Sequence, residues 1–256
     1  MIYLGTSGFS FEDWIGPVYP PSIKKSQMLT YYWSVLGFNT VELNFTYYSM
    51  PSYKTVVSML RKTPPDFMFS VKLPGHVTHE GWRKGLDVSV VEDYKNAIKP
   101  MEEEGRLLSH LAQFPYAFKF SEEGLKYLKR LGDQVRPLAV EFRHRSWDRK
   151  ETYDFLRENG LTYVIVDEPQ IADLFPYKPF ATSDTAYFRF HGRNEKWFEE
   201  GAERYDYLYS DEDLKRFALD VKEMSKKVGK VLVYFNNCHR GQAVENALKT
   251  KEILGL

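Results

Sequence analysis

The stretch AYFRFHGRN, residues 186–194, alternates apolar and polar side chains with a period of two. Phe188 and Phe190 share one face, and the opposite face carries Tyr187, Arg189, His191 and Arg193. This alternation predicts a β-strand with one apolar face. The polar face could meet water, or it could meet a more specific partner.

Similar β-prone runs recur along the chain and alternate with segments of helical periodicity. The runs are IYLG (2–5), NTVELN (39–44), FMFSVK (67–72), SHLAQF (109–114), PLAVEF (137–142), LTYVIVD (161–167), TAYFRFHG (185–192) and KVLVYFNN (230–237). The predicted helices are 27–36, 53–60, 93–103, 122–131, 150–158, 213–228 and 244–254. The sixth connection, 170–184, is rich in proline, and we expect a short or irregular helix there.

This alternation predicts an α/β protein, a single (β/α)₈ TIM-type barrel formed as one domain by residues 1–256. The main rival is a doubly wound open sheet, which favours a glycine-rich phosphate turn after its first strand. GTSGFS (5–10) has glycines at that place, but their spacing is not that of a dinucleotide-binding turn. We therefore favour the barrel.

Bulk composition restricts the class of protein. The 35 basic and 35 acidic side chains give zero formal net charge, which argues against broad electrostatic capture of nucleic acid or of an anionic membrane. The single cysteine, Cys238, fits a reducing compartment, and the first residues do not resemble an export signal. We expect a cytoplasmic protein without a membrane partner.

Polar residues gather where each predicted strand ends, which is where TIM barrels place their active sites. By strand parity Glu42 shares a side with Asn44, Glu141 with Arg143, and Arg189 with His191. If those sides point inward, the barrel mouth holds together Glu42, Glu141, Asp167, Lys72, Arg143 and Arg189. Glu141, Glu42, His191 and Asp167 are the candidate catalytic residues, the carboxylates as general acid or base and the histidine as proton shuttle. The alternative is an ion network that only holds the barrel together.

An anion site is the best supported binding prediction. Arginine and lysine at strand ends can hold a phosphate or carboxylate through charge-assisted hydrogen bonds, and aromatic rings can stack on a sugar or base. The candidates are Arg143, Arg189, Arg193, Lys72, Asn44, Asn236, Asn237, Trp14 and Trp147. Other loop aromatics extend the predicted wall, namely Tyr19, Tyr47, Tyr48, Trp82, Tyr116, Trp197, Tyr205 and Tyr207. Backbone N–H groups near Gly241, at the start of the last helix, offer a further phosphate contact.

A metal site is the weaker prediction. Suitable ligands stand at different strand ends, namely Glu42, Glu141, Asp167, His144 and His191. The interleaved arginines and lysines would compete for these carboxylates, so a divalent cation is not favoured and the cofactor stays open. HVTH (76–79) is predicted to be a loop rather than a ligand pair, and Cys238 an ordinary thiol rather than a nucleophile.

Seven segments in series resemble the YecE-like family, a domain of unknown function (domain of unknown function seventy-two). They are GTSGFSFEDWIGPVYP, VELNFTYYSMPS, FSVKLPGHVTH, LAQFPYAFKF, AVEFRHRSW, FRFHGRN and YFNNCHRGQA, and they run from the first strand to the last helix. The resemblance implies a TIM-type barrel. It also brings the loose likeness of that family to sugar isomerases and to endonuclease-IV-like barrels.

Two functions therefore remain open. The first is an enzyme, isomerase-, lyase- or hydrolase-like, that acts on a small phosphorylated or polyhydroxylated anionic substrate. The alternative is a nucleic-acid-binding protein with endonuclease-IV-like, metal-dependent phosphodiesterase activity, which needs an open basic groove. The substrate and the oligomeric state stay open. An ordered anion beside Glu141, Arg143, Arg189 and His191 would favour chemistry, whereas mutual salt bridges there would favour a scaffold.

Overall fold

The computed structural model describes residues 1–171, 173–199 and 203–256. Eight parallel strands form one sheet with the order β1-β8-β7-β6-β5-β4-β3-β2. Their bounds are β1 Ile2–Thr6, β2 Thr40–Leu43, β3 Met68–Lys72, β4 Leu107–Gln113, β5 Leu138–Glu141, β6 Thr162–Asp167, β7 Thr185–Phe190 and β8 Lys230–Phe235. The predicted (β/α)₈ barrel is confirmed.

The seam between β1 and β2 closes the barrel. A single bridge joins Ser7 to Glu42, and the Gly8 amide donates to the Glu42 carbonyl at 2.8 Å. Lower in the seam, the Tyr32 hydroxyl accepts a hydrogen bond from the Thr6 amide at 2.8 Å and lies 3.3 Å from the Thr40 carbonyl. A helix side chain therefore satisfies backbone groups that a strand ladder would otherwise pair.

Helices cover the outside of the barrel. They are α1 Met28–Ser34, α2 Tyr53–Arg61, α3 Gly81–Lys84, α4 Val88–Glu103, α5 Glu122–Gln134, α6 Lys150–Glu158, α7 Asp211–Ser225 and α8 Gln242–Leu254. All seven predicted helices are present, and the short α3 follows a π-helical turn over His76–Glu80 that was predicted as a loop. Among the described residues of 168–184, no helix follows β6. None of the helices in the described ranges combines the length and the apolar character that crossing a bilayer requires.

The β7 strand separates the two layers of the core. Phe188 and Phe190 face the helices, and the Phe190 ring stacks on Phe217 of α7 with centroids 4.1 Å apart. Tyr187 and Arg189 point the other way, into the barrel, and both are buried. Of the polar face of the AYFRFHGRN segment, Tyr187, Arg189 and His191 therefore meet the barrel interior rather than bulk water, whereas Arg193 lies beside α7.

Candidate functional site

Arg189 lies at the centre of a buried ion network inside the barrel. Its Nε and Nη2 pair with both carboxylate oxygens of Glu42, and its Nη1 donates to Glu141 Oε2 at 2.6 Å. The Tyr187 hydroxyl donates to Glu42 Oε2 at 2.6 Å. All four side chains are at most 1% exposed. The strand parity expected for Glu42, Glu141 and Arg189 is confirmed, but the guanidinium of Arg189 is held by the two carboxylates rather than left for a ligand.

Arg143, just beyond β5, continues this network toward the mouth. Its Nε lies 2.9 Å from Glu141 Oε1, and its Nη1 donates to Glu168 Oε2 at 2.5 Å. The other Glu168 oxygen accepts from the Phe175 amide at 3.1 Å, which fastens the loop after β6. The third nitrogen of Arg143, Nη2, takes part in neither pair.

Glu168 was not singled out in the sequence, although it is a fully buried member of the network. The available signal was an acidic residue directly after the predicted strand end at Asp167. Parity puts Glu168 on the side of β6 opposite Asp167, which is the barrel interior because Val166 pairs in register with Arg189. Burial, and to a smaller degree Glu141, raises the pKa of Glu168 to about 7 against the lowering effect of Arg143. Burial thus disfavours the charged form of this carboxyl, whereas the pairing with Arg143 favours it.

His191 completes the network as a neutral ring. Burial and the nearby Arg143 lower the pKa of His191 to about 3, although Glu141 opposes this. The Asn236 amide nitrogen lies 2.9 Å from Nδ1, so Nδ1 is the acceptor and the proton sits on Nε2. Nε2 faces Glu141 Oε1 at 3.2 Å.

Glu141 stays ionised within this cluster. Burial alone would raise its pKa, but the Arg189 and Arg143 guanidiniums outweigh that effect and hold the pKa well below its usual range. Glu42, Glu141 and His191 are fully buried and do not line the cavity above them. This placement corrects the expectation that they face a substrate, because their polar atoms are engaged with one another beneath the floor of the mouth.

Asp167 and Arg193 form a separate network beside α7. Arg193 Nε and Nη2 pair with the Asp167 carboxylate, and Arg193 Nη1 donates to Asp213 at 2.8 Å. The Tyr209 hydroxyl donates to Asp167 at 2.8 Å. Neither Asp167 as an acid or base nor Arg193 as an anion ligand reaches the cavity, since both are committed to this pairing.

A cavity of about 250 Å³ lies above the ion network, at the carboxyl ends of the strands. Three cationic side chains, Lys72, Arg143 and Arg204, line it, whereas no carboxylate of the described residues does. The other lining residues are Tyr47, Tyr48, His79, Gln113, Pro115, Tyr116, Leu174, Trp197, Phe198 and Tyr205. Arg204, in the long loop after β7, was missed because nothing in its local sequence ties it to a strand end.

Lys72 ends β3 on the cavity floor. Its Nζ donates to Gln113 Oε1 at 2.8 Å and lies 4.5 Å from the centre of the Tyr47 ring. Burial and the Arg189 guanidinium, with a smaller contribution from Arg143, lower the pKa of Lys72 to about 7, although Glu141 and Glu42 oppose the shift. A lysine in this setting exchanges a proton at neutral pH.

Aromatic rings form the cavity walls. Trp197 lies beside both lining guanidiniums, with Arg143 at 5.3 Å and Arg204 at 5.7 Å from its ring centre. Tyr116 packs edge-on against Phe198 with ring centroids 5.2 Å apart. Five of the aromatics expected near the mouth therefore line it, namely Tyr47, Tyr48, Tyr116, Trp197 and Tyr205.

Trp14 and Trp147 do not belong to this wall, which corrects the sequence-based expectation. Both rings are fully buried. Trp14 Nε1 donates to the Cys238 carbonyl at 2.7 Å, and Trp147 Nε1 donates to the Phe118 carbonyl at 2.7 Å. Trp147 also stacks on Phe142, so both indoles pack the loops and have no face left for a ligand.

The three candidate asparagines also lie outside the cavity. Asn236 holds His191, and Asn237 donates to the Tyr207 carbonyl at 2.8 Å. Asn44 lines a different, mostly apolar depression between the loops after β1 and β2. Each of them is therefore corrected from anion ligand to a residue outside the cavity.

One backbone amide next to Gly241 is already paired within the chain. The Arg240 amide donates to Asp13 Oδ2 at 2.7 Å, so a carboxylate of this chain occupies that position. Cys238 is buried, and burial raises the pKa of its thiol. This agrees with an ordinary thiol rather than a nucleophile.

The candidate metal ligands are dispersed or paired with cations. In residues 1–171, 173–199 and 203–256, no three His, Cys, Asp or Glu side chains converge as a metal-binding group. His144 accepts from the Ser146 amide through Nδ1 at 3.0 Å. Glu42, Glu141 and His191 thus belong to the buried ion network, Asp167 pairs with Arg193, and His144 contacts Ser146. The proposed ligands therefore do not share one site.

The barrel and the polar cavity at the carboxyl ends of its strands define a TIM-barrel protein whose cavity is large enough for a small ligand. The model of the family described as "Protein of unknown function DUF72" matches residues 3–256, and the chain belongs to this family. The resemblance found in the sequence motifs is thereby confirmed.

Relatives of known sequence or structure agree with this assignment. The UPF0759 protein YunF of Bacillus subtilis (strain 168) is 30% identical over 274 residues, covering 100% of this chain and 95% of that protein. A DUF72 family protein from Thermotoga maritima MSB8 is 58% identical with a TM-score of 0.95, and each chain is covered completely. A DUF72 family protein from Enterococcus faecalis v583 is 30% identical with a TM-score of 0.88, covering 100% of this chain and 96% of that one.

More distant solved structures share the fold alone. SacUVDE has a TM-score of 0.60 at 9% identity, covering 99% of this chain and 98% of that one. D-psicose 3-epimerase from Clostridium cellulolyticum H10, solved with D-tagatose, has a TM-score of 0.55 at 8% identity, covering 98% of this chain and 97% of that one.

Proposed function

We propose that this protein is an enzyme that binds a small anionic substrate in the cavity above the ion network. One observation carries the proposal. Three cationic side chains, Lys72, Arg143 and Arg204, line a cavity that no carboxylate of the described residues lines, in a chain whose formal net charge is zero. The positive charge is therefore local, and it lies where TIM barrels hold their substrates.

The arginines supply the anion contacts in this proposal. Arg143 is fixed from below by Glu141 and Glu168 through Nε and Nη1, so its Nη2 can face a phosphate or carboxylate without a change of side-chain position. Arg204 is exposed and reaches the cavity from the opposite loop. The paired guanidinium of Arg143 and the exposed guanidinium of Arg204 can together bind an oxyanion through charge-assisted hydrogen bonds.

The walls and size of the cavity support a small polyhydroxylated or phosphorylated ligand. Rings of Tyr47, Trp197 and Tyr205 offer apolar faces with polar edges, which suits a sugar ring. A cavity of about 250 Å³ is at the small end of ligand sites, and it has no room for a stacked series of nucleotides. These features favour a small substrate over nucleic acid.

Lys72 is the proton-transfer group in the proposed enzyme. Its amine stands inside the cavity and titrates near neutral pH, which is the property that a general acid or base requires. Glu141, Glu42 and His191 act indirectly in this proposal. Glu141 positions Arg143, Glu141 and Glu42 contribute to the electrostatic potential at Lys72, and His191 lies against Glu141.

Isothermal titration calorimetry tests the anion contact. D-glucose 6-phosphate is the probe, D-glucose and inorganic phosphate are the controls, and Arg204→Met is compared with Arg61→Met, an exposed arginine on α2. We expect the sugar phosphate or inorganic phosphate to bind at one site, with an affinity about 10-fold lower in Arg204→Met and unchanged in Arg61→Met. Binding that is equal in all three proteins, or no binding of either anion, would contradict the proposal.

A further inference from the structure

We propose that Lys72 reacts covalently with a carbonyl group of the bound anionic substrate and forms an imine. This inference rests on the proposed anion-binding function and adds a reaction class to it. The substrate class is then a small oxo acid or a phosphorylated sugar in its open-chain carbonyl form.

The position of the amine is the first argument. Lys72 Nζ is held on the cavity floor by Gln113 Oε1 at 2.8 Å. The Gln113 amide is itself fixed, because its Nε2 donates to the Phe114 carbonyl at 2.7 Å. The amine is therefore presented at a defined point rather than at the end of a freely moving chain.

The surroundings of the amine are the second argument. Cationic side chains at the ends of β5 and β7 lie close to it, and aromatic rings line the cavity above it. The groups that face Lys72 are Glu42 of β2, Gln113 of β4, Glu141 and Arg143 at β5, Arg189 of β7, His79 after β3, and Tyr47 after β2. Burial with neighbouring cations is the arrangement that keeps a reactive lysine neutral, and its pKa is lowered to about 7.

The third argument is that the same cavity can orient the carbonyl. An anionic group held by Arg143 and Arg204 leaves the rest of a small substrate over the floor, where Lys72 stands. The neutral amine attacks the carbonyl carbon and forms a C–N bond while the carbonyl π bond breaks, and the oxygen takes up a proton that the amine releases. The C–O bond of the carbinolamine then breaks, and the oxygen leaves as water with the second hydrogen of the amine. When the imine nitrogen that remains takes up a proton from solvent, it withdraws electrons from the neighbouring carbon, which assists the loss of a proton there.

Reductive trapping with glyoxylate tests this step. Glyoxylate carries a carboxylate and an aldehyde, and cyanoborohydride reduces its imine to a stable secondary amine that peptide mass spectrometry locates. At pH 7 we expect Lys72 to be labelled on the order of 100-fold faster than exposed lysines such as Lys54, because most exposed amines are protonated there. Lys72→Arg keeps a cation but cannot form the imine, so labelling at that peptide should vanish while labelling of Lys54 persists.

The controls separate this inference from the proposed function. We expect inorganic phosphate, and the Arg204→Met substitution, to slow the labelling of Lys72 while Arg61→Met leaves it unchanged. Labelling of Lys72 no faster than Lys54 would overturn the imine, and the calorimetric result with phosphate would still decide the anion site. Fast labelling that neither phosphate nor Arg204→Met affects would show a reactive lysine without an anion site, and it would overturn the inference in the form stated.

Discussion

At the scale of single residues, burial and ion pairing distinguish a side chain that stabilises the fold from one that can react with a ligand. Glu141 is fully buried between Arg189 and Arg143, so removing its charge leaves two guanidiniums without their shared partner. Lys72 is only partly buried and is directed into the cavity. Substitution of Glu141 should therefore mainly affect stability, and substitution of Lys72 should mainly affect the reaction.

The Glu141→Gln substitution should strongly destabilise the protein. We expect a loss of about 3–5 kcal/mol in the free energy of unfolding, because uncompensated buried charges remain. Urea denaturation measures this loss, with Glu123→Gln as the matched control at an exposed pair with Lys126, where little change is expected. Equal losses in the free energy of unfolding from the two substitutions would argue against a special role of the buried ion network in stabilising the barrel.

The pKa of Lys72 makes stability depend on pH. The folded-state pKa of about 7 is below the value of 10.5 for a free lysine, so the unfolded chain binds more protons between these pH values. Stability from this group therefore rises as pH increases from about 7 toward 10.5. We expect Lys72→Met to flatten that rise in the free energy of unfolding relative to wild type, and Lys54→Met to leave it unchanged. An unchanged slope in Lys72→Met would show that the lysine is not perturbed.

At the scale of elements, α1 contributes to closing the barrel. The Tyr32 hydroxyl fills the seam between β1 and β2, where it accepts from the Thr6 amide. Gly5 is required at the same seam, because a Cβ there would lie 2.1 Å from the Thr40 carbonyl oxygen. The lack of a side chain at Gly5 thus allows β1 and β2 to approach closely, and the Tyr32 hydroxyl lies beside them.

The Tyr32→Phe substitution removes the hydroxyl from the seam between β1 and β2 but keeps the aromatic ring in the core. It should therefore weaken the seam without creating a cavity. We expect a loss of about 1–3 kcal/mol, because the buried Thr6 amide loses its acceptor. Hydrogen exchange measures the effect, and the Thr6 amide should exchange faster than in wild type. Tyr31→Phe, on the next residue of the same helix, is the control. Unchanged protection of Thr6 would show that water or the backbone replaces the hydroxyl.

The elements show what could be predicted from the sequence. Period-two runs and helical periodicity predicted all eight strands and seven helices, because both patterns are local properties of the chain. Parity also predicted that Glu42, Glu141 and Arg189 point inward. It could not show that these three pair with one another, because pairing depends on distances across the barrel.

The cavity residues were harder to predict for the same reason. Arg204 lies in a long loop, and only the folded loop brings it beside Trp197. Trp14 and Trp147 follow strands as expected of ligand-stacking residues, yet neighbouring loops bury them. The position of a loop in the sequence indicates at which end of the barrel its residues lie, but it does not indicate whether their side chains are exposed.

At the scale of the whole molecule, all eight strands share one sheet, and one apolar core surrounds it. We therefore expect cooperative unfolding in a single transition, detected at the same denaturant concentration by far-ultraviolet circular dichroism and by tryptophan fluorescence. Separate midpoints for the two signals would contradict a single domain.

The overall charge bears on the nucleic-acid alternative. Zero net charge and acidic residues among the loop bases argue against a broad basic groove, so we expect no salt-sensitive binding of a DNA duplex or single strand even at low ionic strength. Fluorescence anisotropy with labelled oligonucleotides measures this. Tight binding that weakens steeply with added salt would favour the nucleic-acid function over the small substrate.

The location of a bound oxyanion tests the central claim most directly. Tungstate is a heavy tetrahedral oxyanion, and its anomalous X-ray signal locates it in a soaked crystal without reference to the protein phases. The account predicts a peak inside the cavity within hydrogen-bonding distance of Arg143 and Arg204. Peaks confined to other surfaces, with only solvent between these two arginines, would contradict it.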